Sequence, residues 1–161
     1  MDKLRIGHGF DVHRFSRDRE LIIGGVKIDY EFGLEGHSDA DVLTHAIMDA
    51  LLGASGLSDI GTYFPPSDKK YKNIDSLLLL GEVKGLLAKG KCNILNIDTV
   101  IMAEEPKMNA HIPAMKKSLA KVLGIEVSAI GIKATTTEQL GFTGRKEGIA
   151  ASAVCLIHRD D

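Results

Sequence analysis

The stretch GHGFDVHRF, residues 7–15, carries three side chains that can bind a metal ion: His8, Asp11 and His13. Residues 3–13 have the pattern of a strand. In a strand, residues i and i+2 face the same way, so Asp11 and His13 project from one face and His8 from the other. A carboxylate oxygen beside an imidazole nitrogen suits zinc or a similar divalent metal. The pair also fits a strand edge with two solvated polar groups, and both interpretations stay open.

A third candidate ligand, His45, lies in the predicted helix of GHSDADVLTHAIMDALLGASG, residues 36–56. It falls outside the apolar face of that helix, which consists of Leu43, Ile47, Ala50, Leu51 and Ala54. Three protein ligands would leave one tetrahedral position open, as in catalytic zinc sites. Asp41 and Asp49 lie one helical turn before and after His45, and either could accept the N–H of its non-ligating nitrogen. Alternatively, the three residues are unrelated polar groups.

Two further segments have residues suited to phosphate. His37 precedes Ser38, the predicted N-cap, and helix N-termini attract phosphate, although His-Ser at a cap is also an ordinary structural pattern. The segment ATTTEQLGF, residues 134–142, places threonine hydroxyls beside Glu138, which suits phosphate oxygens and a hard cation such as Mg²⁺. A Thr-capped turn with Glu138 in a capping box is the structural alternative, and the two are compatible.

Strand and helix patterns alternate along the whole chain. Ser38 is the predicted N-cap of the helix described above, with Asp39 and Asp41 in its first turn and Gly53 or Gly56 at its end. The other predicted elements are strands at 93–104, 131–137 and 148–158, a hairpin at 21–28, helices at about 75–89 and 109–123, and a loop at 57–73. This mixture predicts an α/β fold of the α+β type in a single domain, residues 1–161.

Composition limits the functional classes. The chain has 161 residues, 44% hydrophobic and 26% charged, with a net charge of −2. A nucleic-acid binder that depends on overall basicity is disfavoured. Apolar runs such as Leu77–Leu80 are far too short to cross a membrane, and the start MDKLRIGHGF has no apolar stretch typical of a secretory signal. Cys92 and Cys155 form no CxxC pair, so we expect core cysteines and a cytoplasmic location.

Taken together, five segments resemble the 2-C-methyl-D-erythritol 2,4-cyclodiphosphate synthase family of the non-mevalonate isoprenoid pathway. They are RIGHGFDVHRF, HSDADVLTHAIMDALLGA, DIGTYFPPSD, AEEPKMNAHIP and KATTTEQLGFTGRKEGIA. Each segment alone is weakly specific, but their joint occurrence in family order over nearly the whole chain is highly specific. The resemblance implies that the 2-phosphate of 4-diphosphocytidyl-2-C-methyl-D-erythritol 2-phosphate attacks the β-phosphate of the same molecule and releases CMP.

The resemblance also implies roles for individual residues. Asp11, His13 and His45 would hold zinc, and Glu138 would hold Mg²⁺ or Mn²⁺. His37 and Thr136 would orient and stabilise the reacting phosphates. The complete set of implied substrate-binding residues is Asp11, His13, His37, Ser38, Asp59, Ile60, Gly61, Phe64, Pro65, Pro66, Ser67, Asp68, Ala103, Pro106, Lys107, Met108, Ala134, Thr135, Thr136, Thr137, Glu138, Phe142 and Arg145.

Within this set, Asp59 and Gly61 would meet the erythritol or ribose, and residues 64–68 would cover the substrate. The cytidine pocket would consist of Ala103, Pro106, Lys107, Met108, Ala134 and Thr135. Glu104 and Glu105 would disfavour a phosphate-bearing ligand if they pointed inward, so we expect both to face solvent.

The family fold implies a mixed sheet with helices on one face, and a homotrimer with active sites between subunits. Members also have an apolar cavity on the three-fold axis, where an isoprenoid diphosphate could meet Phe142 and Arg145. The alternative roles of these two residues are packing for Phe142 and an intersubunit salt bridge for Arg145. No nucleic-acid or membrane partner is expected.

Two other functions are weighed against the cyclase. Metallophosphoesterases also begin with Asp-x-His, but they need Gly-Asp and Gly-Asn-His motifs, which this sequence lacks. A zinc-stabilised cytidine-nucleotide-binding module would bind CDP or CMP without turnover, and substitutions at His37 or Thr136 would then remove no activity.

Overall fold

The chain is described here by a computed structural model covering residues 3–160; residues 1, 2 and 161 of the predicted domain lie outside it. Its strands are β1 (Leu4–Ser16), β2 (Leu21–Ile23), β3 (Val26–Ile28), β4 (Gly33–Leu34), β5 (Cys92–Met102), β6 (Ile130–Thr135) and β7 (Gly148–Arg159). Its helices are α1 (Val42–Ala54), α2 (Ile60–Tyr63), α3 (Ser76–Lys89), α4 (Ile112–Leu123) and α5 (Gly141–Gly144).

One mixed sheet forms the centre of the fold, with the strand order β4-β1-β7-β5-β6. β1 and β7 pair antiparallel over most of their length, and β7 pairs antiparallel with β5 on its other side. β5 and β6 pair parallel, and the crossover between them contains α4. β2 and β3 form a separate hairpin, as predicted for residues 21–28. The described residues therefore form one α+β domain.

The two faces of this sheet have different environments. Alternate residues of β7, from Ile149 to Ile157, are buried together with Ile97 and Ile101 of β5, and α1, α3 and α4 cover this face. On the opposite face the side chains of Leu4, Ile6, Phe10, Val12 and Val154 are exposed. A covered face and an open apolar face agree with the expected placement of the helices on one side.

Helix α1 lies directly on β1 because two residues of β1 have no side chain. A Cβ added at Gly7 would stand 1.9 Å from the carbonyl oxygen of Ala50, and one at Gly9 would stand 2.0 Å from that of Ala46. Real Cβ atoms do not approach an oxygen this closely, so only glycine permits this distance between helix and strand. The contact brings α1 down beside Asp11 and His13, which follow on the same face of β1.

The start of α1 differs from the prediction. The N-cap is Asp41 rather than Ser38, and Asp41 Oδ1 accepts from Thr44 N–H at 3.0 Å. The same carboxylate accepts from the amides of Gly24 and Gly25, at 2.8 and 2.7 Å. Asp41 is fully buried, and burial raises its pKa. Its hydrogen bonds join the β2–β3 hairpin to the helix, which explains why the cap lies three residues later than predicted.

The other elements follow the prediction with local differences. α3 begins after Asp75 and ends at Gly90, as predicted, and α4 ends at Gly124 in the left-handed conformation. α4 starts at Ile112 rather than near residue 109. The short elements β4, α2 and α5 were missed, because two to four residues give too little periodicity to be recognised.

Both cysteines, Cys92 and Cys155, are free and buried, as expected. Burial raises the pKa of the Cys155 thiol to about 11.

Among the helices within residues 3–160, none has the length and apolar character needed to cross a membrane.

Replacing Gly9 with Ala should strongly destabilise the protein, because the new methyl group would collide with the carbonyl oxygen of Ala46. We expect the free energy of unfolding to fall by about 3 kcal/mol, the upper part of the usual range for overpacking. Urea denaturation at equilibrium measures this change.

Gly53→Ala is the matched control for Gly9→Ala, since an added Cβ at Gly53 meets none of the described atoms within 4 Å. Gly53 lies within α1, so alanine there should be neutral or should stabilise the helix by up to about 1 kcal/mol. Equal stability of Gly9→Ala and the unsubstituted protein would contradict the close helix–strand contact.

Candidate functional site

Three potential ligand atoms converge where α1 meets β1. Asp11 Oδ2 lies 2.9 Å from both His13 Nε2 and His45 Nδ1, and the two nitrogens are 3.2 Å apart. Ligands of a tetrahedral zinc ion, each roughly 2.0–2.2 Å from the metal, lie about 3.4 Å from one another. The predicted convergence of these three residues is confirmed, and they are placed to hold a metal ion.

Hydrogen bonds at the far side of His13 orient its ring. His13 Nδ1 lies 2.7 Å from the carbonyl oxygen of Glu35, which can only accept, so Nδ1 carries a proton. In the neutral ring the lone pair is then on Nε2 and faces Asp11. This arrangement, in which a ligating histidine donates its other N–H to a carbonyl, is the usual one in metal sites.

The non-ligating nitrogen of His45 has different partners from those predicted. Neither Asp41 nor Asp49 contacts it; His45 Nε2 lies 3.1 Å from Ser38 Oγ and 3.0 Å from Ser76 Oγ. Asp41 is occupied at the start of α1, as described above. Asp49 instead accepts from the amide of Ile60 at 2.9 Å.

His45 is also more enclosed than predicted. The residue is buried, and so is nearly all of α1, with only Asp49 and Gly53 outside the buried set. The apolar face predicted from five residues was too narrow, because α1 packs against β1 and β7 on one side and against α3 on another. His8 points away on the opposite sheet face, as predicted. There its Nε2 lies 3.0 Å from Ser152 Oγ.

The charges of the cluster favour an ionised Asp11 beside positive charge. Burial by itself would raise the pKa of Asp11, but hydrogen bonds to His13 and His45 and their charges lower it to about 2. Burial would lower the pKa of His13, but the hydrogen bond to Asp11 and its charge outweigh this and raise it. A divalent cation between the three ligands would satisfy the same electrostatic requirement.

The cluster lies in a cleft of about 240 Å³. This cleft is lined by Asp11, His13, His37, Ser38, His45, Ile60, Gly61, Phe64, Pro66, Tyr71 and Leu79. Tyr71 and Leu79 were not predicted: Leu79 reaches the cleft because α3 packs on α1, and the Tyr71 ring packs against that of Phe64. The remaining lining residues were all predicted site residues.

His37 is held at the edge of this cleft by two contacts. Its carbonyl accepts from the amide of Asn73 at 2.7 Å, and its ring Nε2 lies 3.3 Å from the carbonyl oxygen of Asp68. Asp68 belongs to residues 64–68, the segment expected to cover a substrate. None of the described side chains forms a hydrogen bond with the other ring nitrogen of His37, and the ring lines the cleft.

Asp59 and Gly61 sit at the start of α2, beside the cleft. Asp59 is the N-cap, and its Oδ1 accepts from the amide and the hydroxyl of Thr62, both at 2.9 Å. The amide of Ile60 is held by Asp49. Pro65 and Ser67 lie in the following loop, within the segment expected to cover the substrate, but they do not line the cleft.

A second, separate cavity of about 130 Å³ lies at the adjacent ends of β5 and β6. It is lined by Ala103, Pro106, Lys107, Met108, Asn109, Ala134, Thr135 and Thr136. The parallel register pairs Met102 with Thr135, which brings these two strand ends together. All the predicted cytidine-pocket residues meet here, and Asn109 is an addition. Thr136 therefore lines a different cavity from His37 within one chain.

The loop that follows β6 has an unusual backbone conformation. Glu138 and Gln139 have φ angles of 53° and 64°, in the left-handed region that non-glycine residues rarely adopt. Glu104 holds this loop, because its Oε1 accepts from the amides of Thr137 and Gln139, both at 3.1 Å. The Glu138 side chain is left exposed. Such strained residues are commonly found at functional sites.

Glu104 therefore differs from the expectation that it faces solvent, because its carboxylate turns toward the loop amides. Glu105 is exposed, as expected, and its carboxylate pairs with Lys146 Nζ at 2.7 Å. The capping box proposed for Glu138 is not formed, since α5 begins only after Leu140 and without a side-chain cap.

Phe142 and Arg145 lie in and just after α5, outside both cavities described above. Phe142 is exposed. Arg145 Nε donates to Glu147 of the same chain at 2.7 Å, so its observed ion pair is within the chain. A third, larger cavity of about 570 Å³ lies near the C-terminal ends of α3 and α4 and contains no predicted site residue.

The chain is similar to known proteins along almost its full length. The family model described as the YgbB family matches residues 4–158. A relative from Dehalococcoides mccartyi strain CBDB1, named 2-C-methyl-D-erythritol 2,4-cyclodiphosphate synthase, is 60% identical over 154 residues, covering 96% of this chain and 98% of the relative. A relative with the same name from Synechocystis sp. is 59% identical over 160 residues, covering 99% of each chain.

Solved structures share the fold. The bifunctional IspDF from Campylobacter jejuni matches with a TM-score of 0.94 and 42% identity, covering 98% of this chain but only 43% of that longer protein. The IspF of Plasmodium falciparum, solved as a CDP complex, matches with a TM-score of 0.86 and 34% identity, covering 98% of this chain and 97% of that one.

Glu104→Ala should loosen the loop after β6, because the amides of Thr137 and Gln139 lose their acceptor. We expect both amides to exchange with solvent roughly fivefold faster, since one hydrogen bond contributes about 1 kcal/mol. Amide hydrogen exchange followed by NMR measures the effect. Glu105→Ala is the matched control, because Glu105 pairs with Lys146 instead. Unchanged protection in Glu104→Ala would contradict the proposed contact.

Proposed function

The chain belongs to the YgbB family, and from this membership together with the Asp11–His13–His45 cluster we propose that it is a cyclase acting on 4-diphosphocytidyl-2-C-methyl-D-erythritol 2-phosphate. The products would be 2-C-methyl-D-erythritol 2,4-cyclodiphosphate and CMP. The observation that carries the proposal is the convergence of three ligand atoms in a cleft that also contains His37. Relatives that carry the synthase name align with residues across the whole site.

In this reaction an oxygen of the 2-phosphate forms a bond to the β-phosphorus. The bond from the β-phosphorus to the oxygen that bridges the two phosphates breaks, and CMP leaves with that electron pair. The substrate supplies both nucleophile and leaving group, so the protein needs no nucleophilic side chain. Its contribution is to fold the substrate so that attack becomes intramolecular, which removes much of the entropic barrier.

Asp11, His13 and His45 would hold zinc, and Glu138 would hold Mg²⁺ or Mn²⁺. When bound, such cations supply Lewis-acid stabilisation of the charge that builds on the phosphate oxygens. The three-residue cluster supports the zinc assignment, because one carboxylate and two imidazoles leave a fourth tetrahedral position for a substrate oxygen. The exposed carboxylate of Glu138, on a loop held by Glu104, supports the second.

The remaining residues would bind and orient the substrate. His37, held at the edge of the cleft, would orient the reacting phosphates together with Thr136. Asp59 and Gly61 at the start of α2 would meet the sugar portions, while residues 64–68 would cover them. The wall of the cleft formed by Ile60, Gly61, Phe64 and Pro66 supports this assignment.

The cavity at the ends of β5 and β6 would bind the cytidine. The amide of Ala103 donates to the carbonyl of Thr135 at 3.0 Å, which holds the two strand ends together at this cavity. Solved relatives described as CDP complexes support a cytidine nucleotide as the ligand class.

Separation of the two cavities supports a site shared between chains. The cleft that contains His37 and the three candidate zinc ligands is called the phosphate cleft below. The phosphate cleft of one chain would be completed by the cytidine cavity of the next, in a homotrimer. The open apolar sheet face, with Ile6 exposed to 73% and Leu4 to 58%, supports association through this surface. The whole chain, residues 1–161, would act as one synthase domain, and the unpaired cysteines support a cytoplasmic location.

An isoprenoid diphosphate in the central cavity of the trimer would meet Phe142 and Arg145. The exposure of Phe142 supports this role. The guanidinium of Arg145 already pairs with Glu147 of the same chain, whereas the alternative role was a salt bridge between subunits.

The proposed reaction is tested by incubating the purified protein with the cytidyl substrate and Mg²⁺. We expect CMP and the cyclic diphosphate in equal amounts, with no free phosphate. ³¹P NMR and chromatography measure these products. His37→Ala should reduce turnover by at least tenfold. Free phosphate would identify a phosphoesterase instead, and tight CDP binding without turnover would identify a nucleotide-binding module. Either result would overturn the proposal.

The shared site is tested by co-expressing two inactive variants. His37→Ala chains retain an intact cytidine cavity, and Thr136→Ala chains retain an intact phosphate cleft. In random mixed trimers roughly a quarter of the interfaces combine the two intact halves, so about that fraction of the activity should return. Each variant expressed alone is the control. Activity no greater than that of the separate variants would contradict a site formed between chains.

A further inference from the structure

We propose that Ser76, held by Asp39, is a positioning residue that fixes which nitrogen of His45 carries a proton and thereby directs the other nitrogen to the metal. This inference rests on the proposed metal site. Neither residue belongs to the ligand set, and neither was predicted to be a site residue. Ser76 lies 31 positions beyond His45, so sequence spacing gives no sign of the contact.

The contacts form a continuous chain from the ligand to a carboxylate. His45 Nε2 lies 3.0 Å from Ser76 Oγ. The Ser76 hydroxyl donates to Asp39 Oδ1, and the Ser76 amide donates to Asp39 Oδ2 at 2.9 Å. Ser76 is fully buried, so water does not compete for these bonds.

The direction of each hydrogen bond follows from the number of available protons. A serine hydroxyl has a single proton, and an ionised carboxylate can only accept. Since Ser76 gives its proton to Asp39, its oxygen can only accept from His45. Nε2 of His45 must therefore carry a proton, and in the neutral ring Nδ1 presents its lone pair to Asp11, 2.9 Å away.

Ser38, the other hydroxyl at His45 Nε2, does not impose this direction. Its oxygen accepts from the amide of Ala40 at 3.2 Å and lies 3.1 Å from the imidazole nitrogen. Among the described residues, His45 is the acceptor within reach of the Ser38 proton, so Ser38 could donate to Nε2 in the opposite tautomer. That tautomer would carry a proton on Nδ1 and block the metal. Asp39, acting through Ser76, excludes it.

Backbone hydrogen bonds bring the two partners together from distant parts of the chain. The amide of Asp39 donates to the carbonyl of Ile74 at 3.0 Å, and the amide of Asn73 donates to that of His37 at 2.7 Å. The segment before α1 is thus fastened to the segment before α3. Asp39 consequently meets Ser76 at the first residue of α3.

The proposal is tested by titrating the folded, metal-free protein with Zn²⁺ in competition with a chelator. The unsubstituted protein should bind one ion per chain, and His45→Ala should lose stoichiometric binding. Ser76→Ala should still bind, with a dissociation constant raised about tenfold to a hundredfold, as is usual when the hydrogen-bond partner of a ligating histidine is removed. Ser76→Ala keeps the backbone amide that donates to Asp39, so the start of α3 is preserved.

Ser55→Ala is the matched control, because it removes a hydroxyl that bonds only to the carbonyl of Leu51, at 2.9 Å. Its zinc affinity should remain within twofold of the unsubstituted protein. Asp39→Asn supplies a second route: combined with Ser76→Ala, it should weaken binding no further than Ser76→Ala alone, since both act through one hydroxyl. Asp39→Asn alone serves if Ser76→Ala is poorly folded, because it keeps the Ser76 hydroxyl and removes the carboxylate that fixes the direction of its hydrogen bond; its zinc dissociation constant should rise over the same range.

A spectroscopic measurement separates positioning from a general loss of stability. In zinc-loaded protein, NMR should detect the Nε2–H proton of His45 as a slowly exchanging downfield signal, and Ser76→Ala should accelerate its exchange at least tenfold. Equal zinc affinity and equal exchange in the two proteins would overturn the positioning role while leaving the metal site intact. Failure of the unsubstituted protein to bind zinc would overturn the proposed metal site itself.

Discussion

The direct contact between the backbones of α1 and β1 determines where Asp11, His13 and His45 meet. Gly7 and Gly9 leave no side chain between the strand and the helix, so the carbonyls of Ala50 and Ala46 rest on the strand itself. The helix runs antiparallel to this part of β1, and the next residues along each element meet as ligands: Asp11 on the strand and His45 on the helix. Side chains at these two positions would move the helix away from the strand and so displace His45 from Asp11.

Once the backbones are fixed, hydrogen bonds determine how the site can act. Among the described residues, no buried side-chain nitrogen or oxygen lacks a partner. His13 is oriented by a carbonyl and His45 by hydroxyls, while the pKa of Asp11 is kept low between them. Three groups with free electron pairs within 3.2 Å of one another repel unless protons or a cation lie between them. The fold thus holds one carboxylate and two imidazole nitrogens together, an arrangement that a proton or a metal ion between them would stabilise.

Local periodicity was sufficient to identify the ligands but not their surroundings. Strand alternation correctly separated Asp11 and His13 from His8, because it depends only on the geometry of successive residues. The partners of His45 were assigned wrongly, since helical spacing identified Asp41 and Asp49 while the fold uses both for backbone amides elsewhere. Ser76 and the residues that line the cavity at the ends of β5 and β6 come together through helix packing and parallel strand register. Neither contact leaves a pattern in the sequence.

Because both native cysteines are buried, a cysteine introduced elsewhere in the protein can be labelled selectively. Thiol-specific reagents attack the thiolate, and a thiol with a pKa of about 11 in the sheet core is almost entirely protonated at neutral pH. Cys92, the other native thiol, is shielded by burial. A single cysteine introduced on an exposed loop, such as the covering segment near Ser67, would therefore react selectively with a fluorophore. Loop movement could then be followed by fluorescence in a chain that keeps its native cysteines.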